Sequence, residues 1–95
     1  MNENSATIRI SGRFAATHPH EFRTRSNEVL KTPGSGEIRV DLSAVDYIDS
    51  TALGMLLVLR DKATANGRCV VLSGARSDVK QLLKIANFSK LFAIT

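Results

Sequence analysis

The hydrophobic period of this chain changes at Asp49-Ser50-Thr51, and that change constrains the fold more than any other feature. Upstream, Ile38, Val40 and Leu42 alternate with Arg39, Asp41 and Ser43, the pattern of a half-buried strand. Downstream, Ala52, Leu53, Leu56, Leu57 and Leu59 recur at helical spacing until Gly67, where a left-handed residue ends a helix at little cost. A strand therefore hands over to a helix, with the small hydroxyl residues Ser50 and Thr51 in its first turn.

Two readings of those hydroxyls stand side by side. In one, Ser50 or Thr51 caps N–H groups that the first helical turn cannot pair internally. The other comes from the motif around them. The string Asp41-Leu42-Ser43, a short link, then Ile48-Asp49-Ser50-Thr51-Ala52-Leu53-Gly54 resembles the signature of the STAS domain, specifically of the bacterial anti-sigma factor antagonists. That family has a strand ending in Asp-Leu-Ser or similar, then Asp-Ser-[Ser/Thr]-Gly-Leu-Gly opening a helix. Ala52 departs from the pattern, standing where glycine is common; alanine stiffens the first turn and leaves the hydroxyl in place.

The resemblance implies a protein switch. Ser50 would be phosphorylated by a partner kinase, with Thr51 as a secondary acceptor and Asp49 orienting the hydroxyl. Partner contact would involve Asp46, Asp49, Ser50, Thr51, Leu53, Gly54, Met55 and Val58. The implied partners are an anti-sigma factor that is also a serine kinase, and a metal-dependent serine phosphatase that resets the switch. Helix physics favours such a site, because the helix start accepts an anion and a phosphate adds roughly −1.5 to −2 charges there. The resemblance also carries an alternative, in which a STAS domain serves as the small subunit of a lipid-transport ABC complex and docks on its ATPase. Nucleotide binding has been discussed for such domains; this chain has no phosphate loop, since Gly34-Ser35-Gly36 is followed by neither lysine-serine nor a helix start.

The remaining chain reads as alternating elements. Thr7 to Gly12 alternates as a strand closed by a glycine turn. A helix starting near Thr17-His18-Pro19, with His18 and Glu21 at capping-box spacing, buries Phe22, Ser26, Val29 and Leu30 and stops before Pro33-Gly34-Ser35-Gly36. The second strand runs from Glu37 to Val45, and the second helix from Ser50 or Thr51 to about Asn66. The apolar face of that helix is wide, which leaves Met55 and Val58 as candidates for exposed contact. Arg68 to Ser73 is a nearly unbroken apolar run, as in a strand covered on both faces. Ser77 caps a third helix from Asp78 that buries Val79, Leu82, Leu83 and Ala86, and Leu91 to Ile94 is a last short strand. The order β-α-β-α-β-α-β implies an α/β fold: a small, mostly parallel four-stranded sheet with helices packed against it. The resemblance covers nearly the whole chain and implies the same fold, without the extra first strand and last helix that family members often carry.

Composition narrows the function classes. Ninety-five residues make a single domain over 1–95. No segment approaches a membrane span, and the polar start Met1 to Ser5 is unlike a secretory signal, so the chain reads as cytoplasmic. The lone Cys69 lies in an apolar run and reads as a small buried hydrophobe. A formal charge of +4 is spread along the chain without a basic run, and there is one Tyr and no Trp; this argues against nucleic-acid binding. His18 and His20 lack further ligands for a metal, and both lie far from any nucleophile. Asp46 and Asp49 have no accompanying ligands or base. No catalytic set, metal site or cofactor is expected.

Overall fold

A computed structural model describes residues 6–14, 19–31 and 36–95, with residues 19–21 by backbone alone. The elements are β1 (Ala6–Phe14), α1 (Pro19–Lys31), β2 (Ile38–Ile48), α2 (Ser50–Ala65), β3 (Val70–Ser73), α3 (Ser77–Ile85), a single 3-10 turn (Phe88–Lys90) and β4 (Ala93–Ile94). The strands form one sheet in the order β1-β2-β3-β4 with every neighbouring pair parallel. Parallel neighbours need crossover connections, and each crossover here contains a helix. The α/β architecture expected from the sequence is the one observed. The proposed His18–Glu21 capping box and the Pro33-Gly34-Ser35 breaker lie outside the described residues or side chains.

The core lies between the sheet and its helices. Ile8, Ile38, Val40, Leu42 and Leu72 from the strands meet Leu56, Leu59 and Leu83 from the helices, all at 1% exposure or less. Val70, Val71 and Leu72 are all buried, as the unbroken apolar run of β3 predicts. Phe88 and Phe92 stack with centroids 5.1 Å apart and close the end of the core beside β4.

β2 is longer than its alternation suggests, reaching Ile48 rather than Val45. Its pairing with β1 slips twice: Arg9 and Ser11 face Asp41 and Ala44, and Gly12 and Arg13 face Val45 and Tyr47. Each slip places one extra residue in β2, a bulge that turns the following side chains to the other face. Buried positions therefore pass from a spacing of two (Ile38, Val40, Leu42) to a spacing of three (Leu42, Val45, Ile48). At the first bulge the Asp41 carboxylate accepts the Ser43 N–H at 2.9 Å. At the second, Gly12 has φ +72°, so it lies within a bent strand and makes no terminating turn.

Other differences are local. Leu82, expected in the buried stripe, is 44% exposed and Ala86 is only half-buried; only Val79 and Leu83 of α3 are buried. The N-cap of α3 is Arg76, not Ser77. The last strand is cut to Ala93–Ile94 by the 3-10 turn before it. Cys69 is exposed, against expectation. The neighbouring Arg68 takes the inward position at 4% exposure and donates from Nε to the Gly36 carbonyl and from Nη1 to the Val29 carbonyl, both at 3.0 Å. With Arg68 turned inward ahead of β3, the next side chain points out.

Candidate functional site

Asp49 is the one residue between β2 and α2. Its backbone is extended, with φ −121° and ψ −179°, as an N-cap residue requires. Its Oδ1 accepts the Ala52 N–H at 2.9 Å, and its carbonyl accepts the Leu53 N–H at 3.1 Å. Capping is therefore the work of Asp49, and the reading of Ser50 or Thr51 as the cap is corrected. Ser50 and Thr51 are the first two helical residues, and both are exposed. The short link expected before this motif is absent, because β2 runs directly into Asp49.

The other motif residues divide by burial. Asp46 is exposed near the end of β2, beside Tyr47, whose ring carries the Arg13 guanidinium 4.4 Å from its centroid. Leu53 is half-buried and packs on the core. Met55 is 8% exposed, so it belongs to the core and is not the open contact expected of it; Val58 is open at 53%. Gly54 is exposed, and a Cβ built on it would meet nothing within 4 Å.

Thr51, Gly54, Met55 and Val58 form one wall of a groove of about 570 Å³ between α2 and α1. The facing wall is α1, through Phe22, Ser26 and Leu30, with Arg23 and Asn27 at the rim. Lys62 closes the far end. Ser26 is buried and returns its hydroxyl to the Phe22 carbonyl at 2.7 Å, so the one polar side chain among Phe22, Ser26 and Leu30 is satisfied and the wall they form is mainly apolar. The contribution of α1 and Lys62 was not legible from sequence. The buried stripe of α1 was visible, but nothing in it says which helix lies alongside.

Among the described residues no three His, Cys, Asp or Glu side chains gather as metal ligands would, and no helix is long and apolar enough to cross a membrane. What the arrangement offers is two exposed hydroxyls at a capped helix start, the second of which, Thr51, lines one end of a mainly apolar groove.

Comparison with known proteins agrees with this architecture. The family model described as "Mlab, STAS domain" matches residues 1–93. A STAS-domain containing protein of Pseudomonas aeruginosa is 40% identical over 89 residues, 94% of this chain and 86% of that protein. Among solved structures, the STAS domain of a SulP transporter from Vibrio cholerae superposes with TM-score 0.83 at 21% identity, over all of this chain and 76% of that one. A Thermotoga maritima protein described provisionally as an anti-sigma factor antagonist gives TM-score 0.84 at 19% identity, over 97% of this chain and 79% of the other. The anti-sigma factor antagonist SpoIIAA, in its unphosphorylated form, gives 0.73 at 12% identity, over all of this chain and 83% of its own. The three structural likenesses establish a shared fold, whereas the family model and the Pseudomonas relative establish descent: this chain belongs to the STAS domain family.

Proposed function

We propose that the protein is an anti-sigma factor antagonist, a partner-switching regulator of transcription in the cytoplasm whose state is set by phosphorylation of Ser50. One observation carries the reading: Asp49 caps α2, so the exposed Ser50 hydroxyl is not the structural cap. A phosphate there adds roughly two negative charges at the positive end of a helix, where the fold tolerates them. The same charge beside Asp49 repels and sterically blocks a partner docked over the helix start, a local change with a global readout. Unphosphorylated, the protein binds an anti-sigma factor that is also a serine kinase and so frees a sigma factor. Phosphorylation releases it, and a metal-dependent serine phosphatase restores it. In this cycle the protein is substrate and ligand, not catalyst. Asp46, Asp49, Thr51, Leu53, Gly54, Met55 and Val58 form or support the contact around Ser50, with Thr51 as secondary acceptor.

The likeness to SpoIIAA, a structure specified as unphosphorylated, supports this reading. The test is phosphosite mapping by mass spectrometry on protein from its native host, and after incubation with candidate kinases. The expected result is phosphate on Ser50, with Ser50→Asp binding the partner less tightly than Ser50→Ala. A Ser50 left unmodified throughout sinks the proposal.

A second reading has its own support, because the family model that matches residues 1–93 is the one described as "Mlab, STAS domain" and does not single out the antagonists. In that reading the protein is the small subunit of a lipid-transport ABC complex, docked on the ATPase. Co-purification with an ATPase, together with an unmodified Ser50, favours it.

A further inference from the structure

Gly54 lies within α2, where glycine costs about 1 kcal/mol relative to alanine. Nothing inside the described fold calls for it. Its φ is not among the positive ones, and a Cβ there would touch nothing within 4 Å. That Cβ would instead project into the groove between α1 and α2, which Gly54 lines. Absence of a side chain at such a place is what the close approach of another backbone needs.

The groove itself describes what approaches. From Thr51 to Lys62 it follows α2 over twelve residues, about 16 Å end to end at ~1.5 Å per residue. That length suits three turns of a third helix, anchored by apolar side chains at spacings of three and four. Its floor is apolar, and Val58 stands open beside it at 53% exposure. Among the described residues, the charged ones lining it are Arg23 and Lys62, with no Asp or Glu. The positive end of the α2 dipole adds to the same sign at the Thr51 end. A second copy of this chain fits poorly, since two-fold pairing of this groove would set the cations Arg23 and Lys62 of one copy against the same two cations of the other.

We propose that the α1–α2 groove is the docking site for an amphipathic helix of a partner protein, apolar on the face it lays over Gly54 and acidic along its flank. The proposal rests on the reading of α2 as the partner-binding element, but not on phosphorylation. Where both hold they reinforce each other, because a phosphate on Ser50 puts negative charge one residue from Thr51, which lines the end of a groove that selects an acidic helix.

The test places the photo-crosslinking residue p-benzoylphenylalanine at position 58 in the native host, with position 81 on α3 as control, and sequences the cross-linked segment by mass spectrometry. The expected adduct is a polypeptide segment with apolar residues three and four apart and Asp or Glu beside them. Its yield falls roughly tenfold when Arg23→Glu and Lys62→Glu are combined, as loss of charge complementarity demands. Gly54→Leu abolishes the adduct while leaving Tm equal or higher, which separates a filled groove from a damaged fold. A basic segment, a second copy of this chain, a lipid adduct, equal labelling from position 81, or no adduct overturns the proposal. The same experiment in Ser50→Asp separates it from the phosphorylation switch. An acidic amphipathic adduct insensitive to Ser50→Asp keeps the groove and removes the switch. A phosphorylated Ser50 with the wrong adduct does the reverse.

Discussion

The Asp49 carboxylate accepts the Ala52 N–H at 2.9 Å, three residues ahead, and by doing so leaves the adjacent Ser50 outside the capping interaction. Two neighbouring oxygen-bearing side chains thus hold different roles at one helix start. The carboxylate stabilises the fold, and the hydroxyl next to it is presented to solvent.

Stability should separate the two. Asp49→Ala removes the cap and should lower unfolding free energy by about 1 kcal/mol. Asp49→Asn or Asp49→Ser retains an acceptor and should recover most of it. Ser50→Ala, at an exposed position outside the cap, should stay within about 0.5 kcal/mol of the parent protein. Urea unfolding followed by circular dichroism measures all four, and a Ser50→Ala loss matching that of Asp49→Ala would return the hydroxyl to a structural role.

Acid stability should depend on Asp41. The Ser43 N–H, then the Ser43 hydroxyl, hold the Asp41 carboxyl below its usual value near 3.8, with a smaller contribution from Arg9 and some opposition from burial. A carboxyl lowered in the folded state stabilises it above the unfolded pKa, and the contribution disappears as pH falls through the folded value. Tm of the parent protein should therefore drop more steeply below about pH 4 than Tm of Asp41→Asn. Parallel Tm-against-pH curves in that range for the two proteins would count against the assignment.

Much of this arrangement was legible in the residues. The handover from β2 to α2 was visible because strand and helix periods meet at Asp49-Ser50-Thr51, and Gly67, with φ +71°, ends α2's turn as expected. The end of β2 was not, because two bulges shift its buried positions to every third residue, and alternation cannot describe that spacing. Leu82 shares a helical stripe with Val79 and Leu83, yet the sheet reaches only part of α3 and leaves Leu82 outside. Charged Arg68 reads as a surface residue at the edge of an apolar run. Its burial rests on contacts distant from it in sequence, among them the Val29 and Gly36 carbonyls. The groove needed two helices to be placed side by side, and no pattern within either one specifies that.

Arg68 should be one of the more sensitive polar positions. Its guanidinium joins the last turn of α1 to the residue leading into β2 through two carbonyls 3.0 Å away. Arg68→Met keeps the apolar stem but leaves both acceptors without these donors, at a cost of roughly 2–4 kcal/mol. Arg68→Lys should recover little, because an ammonium lacks the planar fork that serves two carbonyls together. Thermal unfolding gives the ranking, and full rescue by lysine would show that charge alone matters.

Two glycines offer opposite outcomes for the same substitution. Gly74 has φ +74°, and a Cβ on it would lie 3.0 Å from the Ser43 Cβ and 3.4 Å from Asp41 Oδ1, against the first bulge of β2. Gly74→Ala must therefore both adopt a left-handed backbone and displace the Asp41–Ser43 turn, and should destabilise by about 1–3 kcal/mol. Gly54 has no positive φ, sits in a helix and faces open space. Gly54→Ala should stabilise the isolated protein by up to about 1 kcal/mol, through helix propensity and a less disordered unfolded chain. Chemical denaturation of both variants decides the matter. Gain at position 54 with loss at position 74 means that the α2 glycine is kept against the interest of the folded monomer, and its reason must then be sought in what binds there. Loss at both positions would mean that Gly54 serves the fold itself, and the case for a surface shaped by a partner would lose its main internal support.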